Sequence, residues 1–128
     1  MKGNGVFLPE RMMVSKFLAD DGYRMMNAMI TEDEVPKALL IASDTLAIGA
    51  LRALHEKGVR VPQDVSIISI NDISVSKYVY PALSTIHVHT EMMGETSVEL
   101  LLERLNGRKI GKKVVLPTEL ILRNSSRV

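Results

Sequence analysis

Two apolar segments of the sequence each end in a pair of polar residues. The segment "LLIASD" ends in Ser43-Asp44, and the segment "IISIND" ends in Asn71-Asp72. If both segments are neighbouring parallel strands, these side chains meet at the carboxyl edge of one sheet, where open α/β proteins bind ligands. A row of hydroxyl, amide and carboxylate groups offers the donors and acceptors that a polyhydroxylated ligand such as a sugar needs.

The same residues also have a purely structural interpretation. Asp44 is placed to cap the helix that follows it, and Asp72 is placed to begin a turn. Such residues are common at helix starts and turns, so the spacing alone leaves both interpretations open.

The polar residues do not form a recognisable catalytic motif. Ser43, Asp72 and His87 are residue types used in covalent and acid–base catalysis. The sequence nevertheless holds no G-x-S-x-G elbow, no Walker loop and no G-x-G-x-x-G fingerprint. His87 and His89 stand two apart on one face of a predicted strand, but no third metal ligand is apparent beside them. We therefore expect no enzyme, no metal site and no cofactor.

The elements that must position these residues follow a strand–helix–strand order. Residues 38–42, "ALLIA", and residues 65–70, "VSIISI", are apolar and short enough for buried strands. Residues 45–57 have the apolar spacing of a helix, which Gly58 ends. A crossover helix joins parallel strands, and continuous apolar runs indicate a sheet covered on both faces.

The rest of the chain adds shorter elements. Asp20-Asp21 predict the start of one helix, and Thr90 predicts the cap of another that ends at Asn106-Gly107. Residues 83–89 alternate as in a strand with one wet face. Further expected elements are strands at 12–14, 114–117 and 119–123, a loop or short helix at 73–80, and a frayed tail at 124–128.

Length and composition limit the classes of protein. The chain has 128 residues, 46% of them apolar and 24% charged, which predicts one globular domain. A net charge of +1 gives no overall attraction to nucleic acid or to an anionic membrane. No apolar stretch approaches the ~20 residues that cross a bilayer. The absence of cysteine excludes disulfides and agrees with a cytoplasmic protein.

An ordered set of motifs resembles the C-terminal half of LacI/GalR-family transcriptional repressors. The family pattern P-T-A-hydrophobic-N-D-x-x-A-x-G-A-x-x-A is followed by G-x-x-V-P-x-D-V-S-hydrophobic-G-Y-D-D, then P-x-L-T-T and G-x-x-A-x-x-L-L. The matching residues here are Pro36, Asp44, Ala47, Gly49, Ala50, Ala53, Gly58, Val61, Pro62, Asp64, Val65, Ser66, Asp72, Pro81, Leu83, Thr85 and Gly94. The segments "IISIND" and "IHVHTEMMG" look most like repressors of β-galactosidase-type operons.

The resemblance implies an α/β, periplasmic-binding-protein-like fold, in which a parallel sheet is flanked by helices. The chain would be truncated and hold mostly the C-terminal subdomain of the effector-binding domain, at residues 1–88. Residues 89–106 would be a crossover helix of the N-terminal subdomain, and residues 107–128 the return strands and tail. The operator-binding helix-turn-helix would lie outside this chain. A homodimer, a sugar effector and cytoplasmic location are also implied.

The resemblance also assigns residues. Effector contacts fall on Phe17, Ser43 and Asn71, although Ser43 replaces the usual asparagine and Asn71 the usual aspartate. Phe17 would stack on a sugar ring, or else it is an ordinary core residue. Asp72, His87 and His89 would line the cleft or the hinge.

The family's dimer surface falls on Ile48, Leu51, Tyr78 and Tyr80. The competing interpretation is that Ile48 and Leu51 only pack on their own sheet. A periplasmic sugar-binding protein of the same fold remains the alternative function.

Overall fold

The computed structural model describes residues 12–30 and 35–127, which form a four-stranded sheet with helices. The helices are α1 (Ala19–Ile30), α2 (Asp44–Glu56) and α3 (Thr90–Leu105), with a 3₁₀ helix at Ser74–Lys77, and the strands are β1 (Ala38–Leu40), β2 (Ser66–Asn71), β3 (Ser84–His87) and β4 (Glu119–Ile121). The order in the sheet is β1-β2-β3-β4. No helix of the described ranges is long and apolar enough to cross a membrane.

The pairing of the strands confirms the predicted strand–helix–strand unit. β1 and β2 are parallel, and so are β2 and β3. Gly58 follows α2 with φ of +71°, as expected for the residue after a helix. The sheet as a whole is mixed rather than parallel, because β4 runs antiparallel to β3. Antiparallel strands at the edge of a parallel sheet are common.

Helices α1 and α2 pack against each other through two glycines. A Cβ added at Gly22 would overlap the backbone carbonyl of Leu46, and one added at Gly49 would overlap that of Ala19. The two backbones therefore touch where neither residue has a side chain. Below this contact, Leu54, Ile67 and Leu83 are fully buried and form the centre of the core.

Two of the predicted strands do not form. Neither residues 12–14 nor residues 114–117 adopt strand structure, and Val14 and Val115 are exposed. A short apolar run becomes a strand only where a partner accepts its backbone hydrogen bonds. The prediction of a wet face on β3 is also wrong, because Ser84 and Thr85 are both fully buried.

The predicted frayed tail is anchored to the sheet. Ser125 is fully buried; its Oγ accepts from the Ser84 N–H at 2.8 Å and donates to the Ile67 carbonyl at 2.8 Å. The Ile67 N–H donates to the Ser125 carbonyl at 2.7 Å. The tail thus bonds β2 at Ile67, one residue before the point where β3 begins to pair with β2 at Ile68.

Helix α3 is unlike α1 and α2, since every one of its residues is exposed or half-buried. It begins at Thr90, so the predicted capping residue is inside the helix, and the N-cap is His89. Six of its large apolar side chains are each about half exposed or more; they are Met92, Met93, Val98, Leu101, Leu102 and Leu105. The helix therefore presents an apolar surface that the described chain leaves open.

Candidate functional site

The carboxyl edge of the sheet brings the predicted polar residues into one row. Asn71 is paired with His87, and His87 with Glu119. The Ile41 N–H donates to the Ile68 carbonyl, so the contact of β1 with β2 continues beyond Leu40. Ser43 follows Ile41 by two residues and so lies just beyond the carboxyl end of β1.

Ser43 has a structural role as the N-cap of α2. Its Oγ accepts from the Leu46 N–H at 3.3 Å, and the residue is 5% exposed. The hydroxyl keeps its own proton, which donates to no acceptor within the described residues. Capping and ligand binding are thus compatible at this position.

Asn71 and Asp72 both adopt left-handed backbone conformations, with φ of 114° and 57°. Such values are uncommon outside glycine, and asparagine and aspartate tolerate them best. Asn71 is exposed. In the described part of the chain, no hydrogen bond engages its side-chain amide. The turn therefore leaves this amide open to solvent at the end of β2.

The Asp72 carboxylate is held by an arginine and a histidine. Arg123 Nη1 lies 2.7 Å from Asp72 Oδ1, and His87 Nδ1 lies 3.1 Å from Asp72 Oδ2. Burial raises the pKa of Asp72, but the hydrogen bonds and charges of Arg123 and His87 outweigh burial, and the pKa is lowered overall. The Asp72 charge is therefore already paired within the protein.

The two histidines make a second contact at this edge. Their rings meet edge to face with centroids 4.7 Å apart, and His89 Nε2 lies 3.6 Å from Glu119 Oε1. Residues 12–30 and 35–127 contain no group of three His, Asp or Glu residues arranged to hold a metal ion. His87 and His89 thus connect the β2–β3 edge to β4.

Replacing Arg123 by glutamine tests the ion pair with Asp72. We expect the free energy of unfolding at pH 7 to fall by about 2 kcal/mol, because a half-buried carboxylate loses a charged donor. The folded-state pKa of Asp72 lies below its ordinary value of 3.8. The ion-pair contribution is therefore complete well above pH 3.8 and disappears as the pH falls through the lowered pKa.

Denaturant unfolding of both proteins from neutral to acid pH measures this difference. The loss that persists at low pH reports the separate bond from Arg123 Nη1 to the Leu83 carbonyl. Arg52→Gln, which breaks an exposed pair with Glu56, is the control and is expected to change little. A difference for Arg123→Gln that does not vary with pH would contradict the assignment.

Asp44 is not the cap of α2 that the sequence suggested, because Ser43 takes that position. It is the first residue of α2, is fully buried, and accepts four hydrogen bonds. The donors are the Ser69 hydroxyl at 2.5 Å, the Thr85 hydroxyl at 2.6 Å, the Ser76 hydroxyl at 2.7 Å and the Ile73 N–H at 2.8 Å. The helix N-terminus and these donors compensate its negative charge.

Phe17 is not a core residue. It is 56% exposed and has a left-handed φ of 64°. It borders an apolar hollow of about 280 Å³, which Met25, Leu39 and Ile41 also line. Neither Ser43 nor Asn71 lines this hollow, so the stacking of Phe17 on a sugar ring stays a prediction.

The predicted dimer residues fall into two groups. Tyr78 and Tyr80 are 76% and 87% exposed. Leu51 is only 3% exposed and belongs to the core, and Ile48 is half-buried against that core. Leu51 is therefore unavailable to a partner, because the side of α2 that carries it faces its own sheet.

The sequence did not predict the residues whose side chains bond Asp44 and Asp72. Arg123 reaches Asp72 from a distant part of the chain, and Ser69, Ser76 and Thr85 converge on Asp44. The only available signal was the presence of hydroxyl residues inside apolar runs, such as Ser69 within "SIISI".

Comparison with known proteins identifies the family. The model of the periplasmic binding protein-like domain matches residues 3–126. The HTH-type transcriptional repressor MelR of Bacillus subtilis is 46% identical over 117 residues, which are 91% of this chain and 34% of that protein. The chain thus spans about a third of the length of that relative.

Solved structures agree with this match. The lac repressor dimer bound to operator and the anti-inducer ONPF has a TM-score of 0.82 at 34% identity, over 87% of this chain and 39% of that chain. A LacI family regulator from Enterococcus faecium with bound ribose has a TM-score of 0.80 at 31% identity, over 88% of this chain and 41% of that chain. The resemblance found in the motifs is confirmed, and the chain belongs to the periplasmic binding protein-like domain family, among the LacI/GalR-type transcriptional regulators.

Proposed function

We propose that the chain forms one wall of the effector cleft of a sugar-responsive transcriptional regulator. The pairing of Asn71 with His87 at the carboxyl edge of the sheet, with Ser43 just beyond the end of β1, is the observation that carries this proposal. Open α/β sheets bind ligands at this edge. The similar regulator from Enterococcus faecium, which holds ribose, supports a sugar as the ligand class.

The chemistry of the edge fits an uncharged, hydroxyl-rich ligand. The Asn71 amide offers both donors and an acceptor, and the Ser43 hydroxyl offers one donor. The nearby Asp72 charge is already paired with Arg123 at 2.7 Å, so Ser43 and Asn71 themselves present neutral groups. Phe17 supplies an apolar face for the sugar ring, as sugar-sized ligands need both kinds of contact.

We place the chain in a larger effector domain with the boundaries expected from the family. Residues 1–88 belong to the C-terminal subdomain, residues 89–106 cross into the N-terminal subdomain, and residues 107–128 return. The exposed apolar side chains of α3 support this division, because a helix with such a surface normally packs on another element.

The open surface of α3 predicts self-association of the 128-residue chain. Leu101→Gln combined with Leu105→Gln is expected to shift the chain towards monomer, since it removes two side chains that are 58% and 73% exposed. Sedimentation velocity over a range of concentrations measures the shift. Glu95→Gln combined with Glu99→Gln changes the charged side of the same helix and is the control. A wild-type chain that sediments as a monomer at high concentration would refute the prediction.

Regulation would couple the cleft to DNA through a dimer. The lac repressor in the similar structure is a dimer bound to operator and anti-inducer. Here Tyr78 and Tyr80 form the exposed aromatic part of the proposed dimer surface, and the helix-turn-helix lies outside the chain. The effector would favour one subdomain arrangement over another and so change operator affinity. The protein would act in the cytoplasm without catalysis.

Thermal-shift screening of galactosides and other sugars tests the proposal. The assay uses the full-length regulator containing this chain, because the cleft needs both walls. A ligand that binds only the native state raises the melting temperature, and above Kd the stabilisation grows with the logarithm of its concentration. Sugar-dependent stabilisation together with sugar-dependent release from operator DNA is expected. Stabilisation by no sugar would defeat the sensor assignment.

A further inference from the structure

The buried Asp44 carboxylate joins two parts of the molecule through different oxygens. Oδ1 accepts from the Ser69 and Thr85 hydroxyls, which belong to strands β2 and β3. Oδ2 accepts from the Ile73 N–H and the Ser76 hydroxyl, which belong to the segment after β2. One side chain thus bonds the sheet with one oxygen and the following segment with the other.

The segment held by Oδ2 directly follows the two left-handed residues. Asn71 and Asp72 have φ of 114° and 57°, and Ile73 is the next residue. Consecutive left-handed residues other than glycine persist only where the surroundings constrain them. Two bonds of Asp72 constrain the turn on one side: its N–H donates to the Thr85 hydroxyl, and its carboxylate pairs with Arg123. On the other side the constraint is the bond from Ile73 to Asp44.

We infer that Asp44 is a positioning residue for Asn71: its Oδ2 fixes Ile73 and Ser76, and thereby holds the Asn71-Asp72 turn with the Asn71 amide at the edge of the sheet. This inference rests on the proposed function of Asn71 as an effector contact. It assigns Asp44 a role in effector binding without contact with the effector.

The two serines bonded to Asp44 provide a matched pair of variants. Ser69 and Ser76 are both fully buried, and each donates one hydroxyl to the carboxylate, on the sheet side and on the segment side respectively. Each alanine variant loses one charged hydrogen bond at Asp44 and no other strong bond, so similar losses of global stability are expected. Only Ser76→Ala removes a bond between Asp44 and the segment that follows Asn71.

Native-state amide hydrogen exchange in the 128-residue chain distinguishes the two sides. We expect the Asp72 and Ile73 amides to exchange about tenfold faster in Ser76→Ala than in the wild type, and at nearly the wild-type rate in Ser69→Ala. The Leu54 amide, in the core, reports global unfolding and corrects for it. Equal acceleration in both variants would mean that Asp44 only stabilises the core, and would overturn the inference.

Effector titration of the full-length regulator supplies the second measurement. Ser76→Ala is expected to raise the Kd of a stabilising sugar about tenfold, and Ser69→Ala to leave it nearly unchanged. Unchanged affinity in Ser76→Ala despite faster exchange would overturn the link to Asn71. If no sugar binds even the wild type, the proposed function fails, while the exchange comparison still decides whether Asp44 fixes the turn.

A second pair of variants covers the case in which an alanine variant does not fold. Ser76→Cys and Ser69→Cys keep the shape of the side chain, with a larger atom and a weak donor, in a chain that has no native cysteine. The same asymmetry between the two positions is expected, with smaller rate changes. Equal rates in the two cysteine variants would count against Asp44 as a positioning residue.

Discussion

Replacing Gly49 by alanine is expected to destabilise the chain by about 3 kcal/mol, because the new methyl group overlaps backbone that cannot move independently. The new methyl group would overlap the carbonyl of Ala19, the first residue of α1. Relief of the overlap requires α1 to move away from α2, which opens the core around Met26 and Leu54. Denaturant unfolding measures the change as a lower midpoint with an unchanged slope.

Gly94 provides the control for this substitution. It also lies inside a helix, α3, but a Cβ added there meets no atom of the described chain within 4 Å. Gly94→Ala is therefore expected to be neutral or stabilising by a few tenths of a kcal/mol up to about 1 kcal/mol, through helix propensity alone. Similar midpoints for the two variants would show that the close contact of α1 and α2 does not exist in solution.

Replacing Asn71 by alanine is expected to weaken effector binding in the full-length regulator about a hundredfold while leaving operator affinity unchanged. The amide supplies donors and an acceptor to the proposed ligand, and a ligand hydroxyl left without a partner in a closed cleft loses the corresponding free energy. Isothermal titration with the stabilising sugar and operator-binding assays with and without it give the two readouts.

The left-handed backbone of Asn71 requires a second variant. Alanine at φ of 114° is strained, so a loss of binding in Asn71→Ala alone has two explanations. Asn71→Gly removes the amide but accepts this φ without strain. The same loss in both variants assigns the effect to the amide. Wild-type affinity in Asn71→Gly would remove Asn71 from the effector site.

The sequence predicted the part of the fold that depends on local patterns. The apolar runs at residues 38–42 and 65–70 and the helix between them have the expected order and parallel pairing. The end of β2 at Asn71 was visible because the apolar run stops there. These features depend on periodicity, chain reversal and strand length, which short segments reveal directly.

Features that depend on contacts between distant residues were not predictable. The alternation in residues 83–89 suggested a wet strand face, yet the Ser84 and Thr85 hydroxyls are buried, and that of Thr85 bonds Asp44 at 2.6 Å. The ion pair of Arg123 with Asp72 joins residues that no spacing rule connects. A buried hydroxyl and a solvated one look the same in a sequence, since tertiary partners decide which occurs.

Leu51 illustrates the same limit on a helix. Its spacing fitted both a dimer surface and a core, and only the packing of α2 showed that it is 3% exposed. Tyr78 and Tyr80, in contrast, follow a 3₁₀ helix and stay exposed. The resemblance indicated the region of the proposed interface, but it did not show which side chains in that region are exposed.

The anchoring of Ser125 has a consequence for anyone who labels or shortens this protein. Its hydroxyl bonds both the Ser84 amide and the Ile67 carbonyl, so Ser125 links strands β3 and β2. A fluorescent reporter joined directly at residue 124 would remove Ser125 and its two bonds, whereas one joined after Arg127 through a flexible spacer would leave them intact. Digestion of the 128-residue chain by a carboxypeptidase should likewise slow at Ser125, because this buried residue must leave the interior by local unfolding before it can be cleaved.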